Sequence, residues 1–230
     1  MATIEIYSKP TYLYRYRSLR PEVGPPLRNR MAEEMDALRR GYVYCSNFYA
    51  MNDPMEGMYR SSRRVQEEPN YEEVAADILN EKLGAGIASF AETWDHELMW
   101  AHYADGFRGI CVAYNLTRLL ARLPASCALS RVRYGEGPHT LNLSGLRDRR
   151  ARARAVLSTK SVLWGYEREW RMFARRTGQI RLAEGAVAHV YLGSRIPDAD
   201  REQVTDTVEG LGIEVRATRI NGYAIERDSN

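Results

Sequence analysis

The chain predicts an α+β fold: a single domain over residues 1–230, with a mixed, mostly antiparallel β-sheet core and flanking helices. Three observations carry this. Short alternating stretches are interleaved with stretches of helical spacing, without the strict regularity of a βαβ array. No internal repeat or low-complexity linker divides the chain. Finally, 230 residues that are 44% hydrophobic and 27% charged are enough for a sizeable core without staples.

Tyr12–Arg17 alternates and is rich in tyrosine, which predicts a strand. Gly24-Pro25-Pro26 breaks the chain. Asn29–Arg40 places Met31, Met35 and Leu38 at helical spacing, and Gly41 closes it. Tyr42–Cys45 is a short strand, and Asn52-Asp53-Pro54 a turn. Tyr71–Leu83 reads as an amphipathic helix with Val74, Ile78 and Leu79 inward, ended by Gly84. Gly86–Ala91 is a short apolar strand, His96–Tyr103 a short helix, Gly109–Tyr114 a buried strand and Leu116–Leu123 a helical turn or two. Ala128–Tyr134 alternates as one strand, and Leu143–Trp164 reads as a long basic helix. Strands are expected at Trp170–Arg175, Ala186–Leu192, Ile213–Ala217 and Arg219–Ile225, with a helix at Asp198–Leu211.

The net charge is +3, and 30 of the 33 basic residues are arginine; the lysines are Lys9, Lys82 and Lys160. Arginine forks onto phosphate or carboxylate in a way lysine does not. No apolar run approaches the roughly 18 residues of a membrane span. The N-terminal MATIEIYSKP lacks a basic stretch followed by an apolar one, so a cytoplasmic protein is expected. Cys45, Cys111 and Cys127 are far apart and form no CxxC, which argues against a disulfide framework or structural zinc. Walker, GxGxxG and GxSxG motifs are absent.

Several segments have the composition of sites. In YRYRS, alternation puts Arg15 and Arg17 on one strand face, where two guanidiniums can clamp a diphosphate; the bland role is stacking on neighbouring tyrosines. In NDPMEG, Asp53 fixes the turn by default, and Asp53 or Glu56 is a candidate substrate contact. In LMWAHYADG, Trp100, His102 and Tyr103 offer a wall for a flat ring, or core packing for Trp100. His102 has no HxxxH or HExxH partner, so no metal is expected there. In KSVLWGYEREWR, Glu167 and Glu169 would share a strand face, and two close carboxylates suit acid–base work or stabilisation of an oxocarbenium cation. The alternative is ion pairing with Arg168, Arg171 or an arginine next door. Arg147, Arg150 and Arg154 fall on one helical face that could track a nucleic-acid backbone or simply be solvated.

The order YRYRS, NDPMEG, LMWAHYADGFRGICVAY, KSVLWGYEREWRMF, HVYLG resembles the bacterial domain-of-unknown-function family 2971 over about residues 12–193. The same order is similar to that of the ADP-ribosyltransferases. That resemblance implies an ADP-ribosyltransferase-like fold and NAD as substrate. Arg17 or Arg15 would hold the diphosphate or ribose. Ser89, with Tyr103, would shape the nicotinamide pocket, alongside Trp100 and His102. Glu167-Arg168-Glu169 would supply an ExE motif, its last Glu binding a ribose hydroxyl and its first orienting the acceptor. The chain departs from the pattern in having Ala91 where a serine is usual and Phe107 where a histidine is common.

The leading expectation is therefore a cytoplasmic, NAD-cleaving ADP-ribosyltransferase-like enzyme with a nucleic-acid, protein or small-molecule acceptor. The alternatives are a non-enzymatic nucleic-acid-binding module and a hydrolase or nuclease using Asp53, Glu56, Glu167 and Glu169 around a divalent ion.

Overall fold

Capping chemistry sets the first helix. Asn29 accepts a hydrogen bond from the Ala32 amide, and Gly41 closes the helix at φ 60°. Such local signals recur through the computed structural model, which describes residues 9–22, 28–142 and 149–228. In chain order the elements are β1 (Tyr12–Arg17), α1 (Arg30–Arg40), β2 (Tyr42–Cys45), β3 (Tyr59–Ser61), α2 (Arg63–Gln66), α3 (Tyr71–Gly84), β4 (Gly86–Phe90), α4 (Glu97–Tyr103), β5 (Ile110–Asn115) and α5 (Leu116–Ala121). They continue with β6 (Ala128–Arg131), β7 (Arg133–Gly135), β8 (His139–Leu141), α6 (Arg149–Leu157), β9 (Thr159–Ser161), β10 (Trp170–Ala174), β11 (Gly178–Arg181), β12 (Val187–Leu192), α7 (Asp198–Glu209), β13 (Glu214–Asn221) and β14 (Ala224–Arg227). The chain is α+β, with mixed, mostly antiparallel sheets.

Two compact units emerge: one of residues 1–41, 91–122 and 181–230, the other of residues 42–90 and 123–180. The first holds a five-stranded sheet in the order β1-β5-β12-β13-β14. Only β12 and β13 are parallel, and α7 makes the crossover that parallel pairing demands. The interior strand β5, between β1 and β12, is buried almost throughout, which accounts for its continuous apolar run. Close backbone approaches explain two glycines. A Cβ on Gly109 would lie 2.1 Å from the Arg17 carbonyl oxygen, and one on Gly193 2.2 Å from that of Phe107.

The second unit holds the antiparallel sheet β4-β10-β6 and the parallel pairs β3–β8 and β7–β9. Val74 and Ile78 of α3 pack with Leu141 and Val156 in one apolar cluster, and Ile87, Leu157 and Phe173 form another.

Four sequence expectations need correction. Leu79 points outward, 51% exposed, because Val74 and Ile78 already define the buried stripe of α3. Ala128–Tyr134 is two strands. The Val132 amide donates to the Glu169 carbonyl, the last bond in register with β10, after which the chain pairs with β9. The long basic helix spans only Arg149–Leu157 among described residues. The Arg133 amide captures the Ser158 carbonyl at 2.8 Å, and Thr159–Ser161 pairs as a strand. Lastly, β13 runs unbroken through Thr218 and turns at Gly222. Gly24-Pro25-Pro26 and Arg147 lie outside the described residues.

Candidate functional site

The second unit buries five charged side chains against one another: Glu56, Lys160, Glu167, Glu169 and Arg171. Arg171 sits mid-sheet on β10, opposite Ser89 of β4 on one side and Ser130 of β6 on the other. Its guanidinium forks onto Glu169, Nε to Oε1 at 2.7 Å and Nη2 to Oε2 at 2.8 Å. Nη1 lies 2.7 Å from Glu56 Oε2 and also donates to the Leu157 carbonyl. Lys160, brought in by β9, donates to Glu167 at 2.7 Å and stands 3.3 Å from Glu56 and 3.7 Å from Glu169. Its ammonium is 4.4 Å from the centre of the Trp164 ring, a cation–π contact.

Local backbone geometry makes this convergence possible. Ser161 caps a 3₁₀ turn over Val162–Glu167, and Arg168 then adopts the left-handed conformation at φ 44°. That reversal brings Glu167 and Glu169 to the same Lys160, although Glu167 ends a turn and Glu169 precedes a strand. The expected shared strand face is therefore absent; the kink at Arg168 does its work. The Glu169 amide donates to the Tyr134 hydroxyl at 2.8 Å.

The electrostatics are uneven. Burial pushes the Glu56 carboxyl up despite Arg171 and Lys160. Burial also acts to raise Glu169, but the charge of Arg171, helped by hydrogen bonds from Arg171 and the Ser89 hydroxyl, takes it below the usual carboxylate range. Lys160 loses by desolvation and gains more from its three glutamates, which leaves its pKa raised. Ser89 is the exposed member of β4, so its hydroxyl connects the buried Glu169 to the surface. In the 3₁₀ turn before Glu169, Val162 and Leu163 are exposed, and the Trp164 and Tyr166 rings lie 6.1 Å apart.

Asp53 is buried and accepts from the Met55 amide at 2.9 Å, which fixes the turn that delivers Glu56. Arg15 and Arg17 share a face of β1 in the first unit. Arg17 pairs with Glu34 of α1, and Arg15 hydrogen-bonds Tyr114 of the adjacent strand β5. The tyrosines Tyr12, Tyr14 and Tyr16 take the other face and meet His189, Tyr191 and Trp100. Trp100 is wholly buried, donates to the Trp94 carbonyl at 2.7 Å and stacks with Phe107. His102 is exposed on α4, and Tyr103 is half-buried. Of the basic helix, Arg149 and Arg152 pair with Asp77, and Arg150 approaches Glu81, so α3 offsets much of its charge. Among described residues no three His, Cys, Asp or Glu side chains are arranged to hold a metal ion; Glu56, Glu167 and Glu169 are turned onto cations.

Sequence reasoning singled out Glu56, Glu167 and Glu169 and named Arg171 as the alternative ion-pair partner, but it did not place Lys160 among them. Lys160 was legible as one of three lysines in an arginine-rich chain. Tyr134 left no signal, since its role depends on the switch of partners at Val132.

No curated protein and no solved structure matches the chain. Residues 99–172 match the family model described as protein of unknown function (DUF2971). The matched stretch contains Lys160, Glu167, Glu169 and Arg171, and so most of the buried charge cluster. Over residues 99–172 the chain is thus similar to the family of proteins of unknown function DUF2971.

Proposed function

We propose that this chain is a cytoplasmic NAD-cleaving enzyme of ADP-ribosyltransferase type, transferring ADP-ribose to a protein, nucleic-acid or small-molecule acceptor. The observation that supports it is the pairing of Ser89 with Glu169: the middle-strand serine and the last ExE glutamate of the motif order meet across β4 and β10. Arg171 keeps Glu169 ionised at neutral pH. A carboxylate held ionised in a buried site attracts a developing oxocarbenium charge far more strongly than one in water. In this reading the Ser89 hydroxyl and Glu169 receive the ribose hydroxyls, and Trp164 and Tyr166 supply aromatic surface for the nicotinamide ring. Lys160 and Arg171 are positioning residues, holding Glu169 without touching substrate.

The test is NMR of the purified protein with NAD, followed over hours for released nicotinamide. Wild type releases nicotinamide, and Glu169→Gln does not. Because Glu169→Gln disturbs a buried ion pair, Ser89→Ala is the companion variant: its site is exposed, and it should lose about 10–100-fold in turnover at unchanged melting temperature. Absence of nicotinamide release from the wild type, or full activity in Ser89→Ala and Glu169→Gln, would sink the reading.

A further inference from the structure

On the opposite edge of the same sheet from Ser89, β6 and β7 face α6 across a groove of about 480 Å³. Three arginines line it, Arg131, Arg133 and Arg154, together with Ser130 and Ser158 and small apolar side chains. The described residues that line it include no aspartate or glutamate. Arg133 donates to His139 Nδ1 at 3.1 Å. Burial, with the charge of Arg133, keeps that imidazole's pKa low, so the bond does not offset the guanidinium's charge.

Ser158 gives a second, independent observation. It is 3% exposed, it lines this groove, and its hydroxyl has no hydrogen-bond partner in the structure. Buried hydroxyls are nearly always paired, so an orphan in a cationic groove marks a place where an acceptor is missing. The neighbouring chain is not free to turn it elsewhere: the Ser158 carbonyl is held by the Arg133 amide, and the Thr159 hydroxyl by the Ala155 carbonyl at 3.0 Å.

We propose that this groove binds a phosphate or diphosphate group, with the Ser158 hydroxyl donating to one oxygen and Arg131, Arg133 and Arg154 forking onto the others. Guanidinium–phosphate pairing is bidentate and charge-assisted, and a serine hydroxyl completes such sites with a short donor. The volume suits a group of nucleotide size. The site lies on β6, β7 and α6, away from the Ser89 edge, so it does not depend on NAD cleavage. It also relocates the basic character of the 149–157 helix: Arg154 faces this groove, whereas Arg149 and Arg152 face Asp77.

The test is calorimetry of the full chain with inorganic pyrophosphate, ADP and a 5′-phosphorylated dinucleotide, at fixed ionic strength with chloride as the control. Saturable binding of at least one is expected, and the arm that binds tightest tells a free diphosphate, a nucleotide and a nucleic-acid end apart. Ser158→Ala and Arg154→Gln, checked by circular dichroism to be folded, should each weaken it by about tenfold or more, the worth of one charge-assisted hydrogen bond. A Lys9→Gln control outside the groove should bind as wild type does. No binding above the chloride control, or affinity unchanged in both groove variants, overturns the proposal.

Discussion

Glu169 and Glu56 share the guanidinium of Arg171, yet their pKa values move in opposite directions. Glu169 gains both arms of the fork, and its pKa falls; Glu56 gains less than burial takes away, and its pKa rises. The sign of each contribution follows. The stabilisation from Glu169 is fully present above the unfolded carboxylate value and is lost as pH falls through its lower folded value. Glu56 acts the other way: its ionised form costs stability once pH rises above the unfolded value, and acid relieves that cost. At pH 7, Glu169→Gln should therefore cost about 3–5 kcal/mol, the usual result of breaking a buried pair. Glu56→Gln should cost clearly less, because the neutral form is the one its site prefers. Urea unfolding at neutral and acidic pH checks this, since the gap between the two variants should narrow on acidification. Equal losses at pH 7 would contradict the assignment.

The same glutamates show what could be read at this scale. Paired carboxylates between two tryptophans were visible in WGYEREW as a departure from an ordinary solvated surface. Their neighbour across the sheet was not. Ser89 reaches Glu169 through strand pairing between residues 80 apart, which no local pattern encodes.

Turns decide the geometry at the scale of elements. Arg168 is a non-glycine residue at φ 44°, the reversal that points Glu167 and Glu169 at one lysine. A left-handed residue with a Cβ costs about 1 kcal/mol or more. Arg168→Gly should accordingly leave stability unchanged or raise it by up to about 1 kcal/mol, whereas Arg168→Val should lower it. Chemical denaturation distinguishes these outcomes. Gly193, the last residue of HVYLG, has the opposite constraint, because the carbonyl of Phe107 fills the space a side chain would need. Gly193→Ala should cost about 1–3 kcal/mol, seen as a melting temperature lower by about 2–4 °C per kcal/mol.

Elements with strong local signals were legible almost to the residue. The alternation of β1, the Asn29 cap and Gly41 stop of α1, and the apolar run of β5 are examples. The 143–164 stretch was not, because no glycine or proline stands between Arg149 and Trp164 to mark the point where β7 captures the chain. Short strands such as β3, β8 and β11 left no pattern; three or four residues are too few to show a period.

For the whole molecule, the two units are woven from alternating segments, three for the first and two for the second. Residues 99–172, the family-matched stretch, therefore hold most of α4 and all of β5 without β1 or β12, and only the start of β10 without β4. Expressed alone, this fragment should show no cooperative thermal transition by circular dichroism, since neither sheet is complete in it. A sharp melt would show instead that the matched segment is self-sufficient. No described helix is long and apolar enough to cross a membrane.

Composition and periodicity by themselves determined the α+β class, most of the helices and long strands, and the residues worth watching as sites. These are properties of neighbours along the chain, set by spacing, caps and turn residues. Only the tertiary structure decided which charges meet. It gathered Glu56, Lys160, Glu167, Glu169 and Arg171 from two stretches about a hundred residues apart into one buried cluster, tied Arg17 to Glu34, and left the Ser158 hydroxyl facing a groove of arginines. Charge pairing at a distance depends on strand register and on the direction of single turns. The energies that set those are summed over the whole fold rather than written in any one segment.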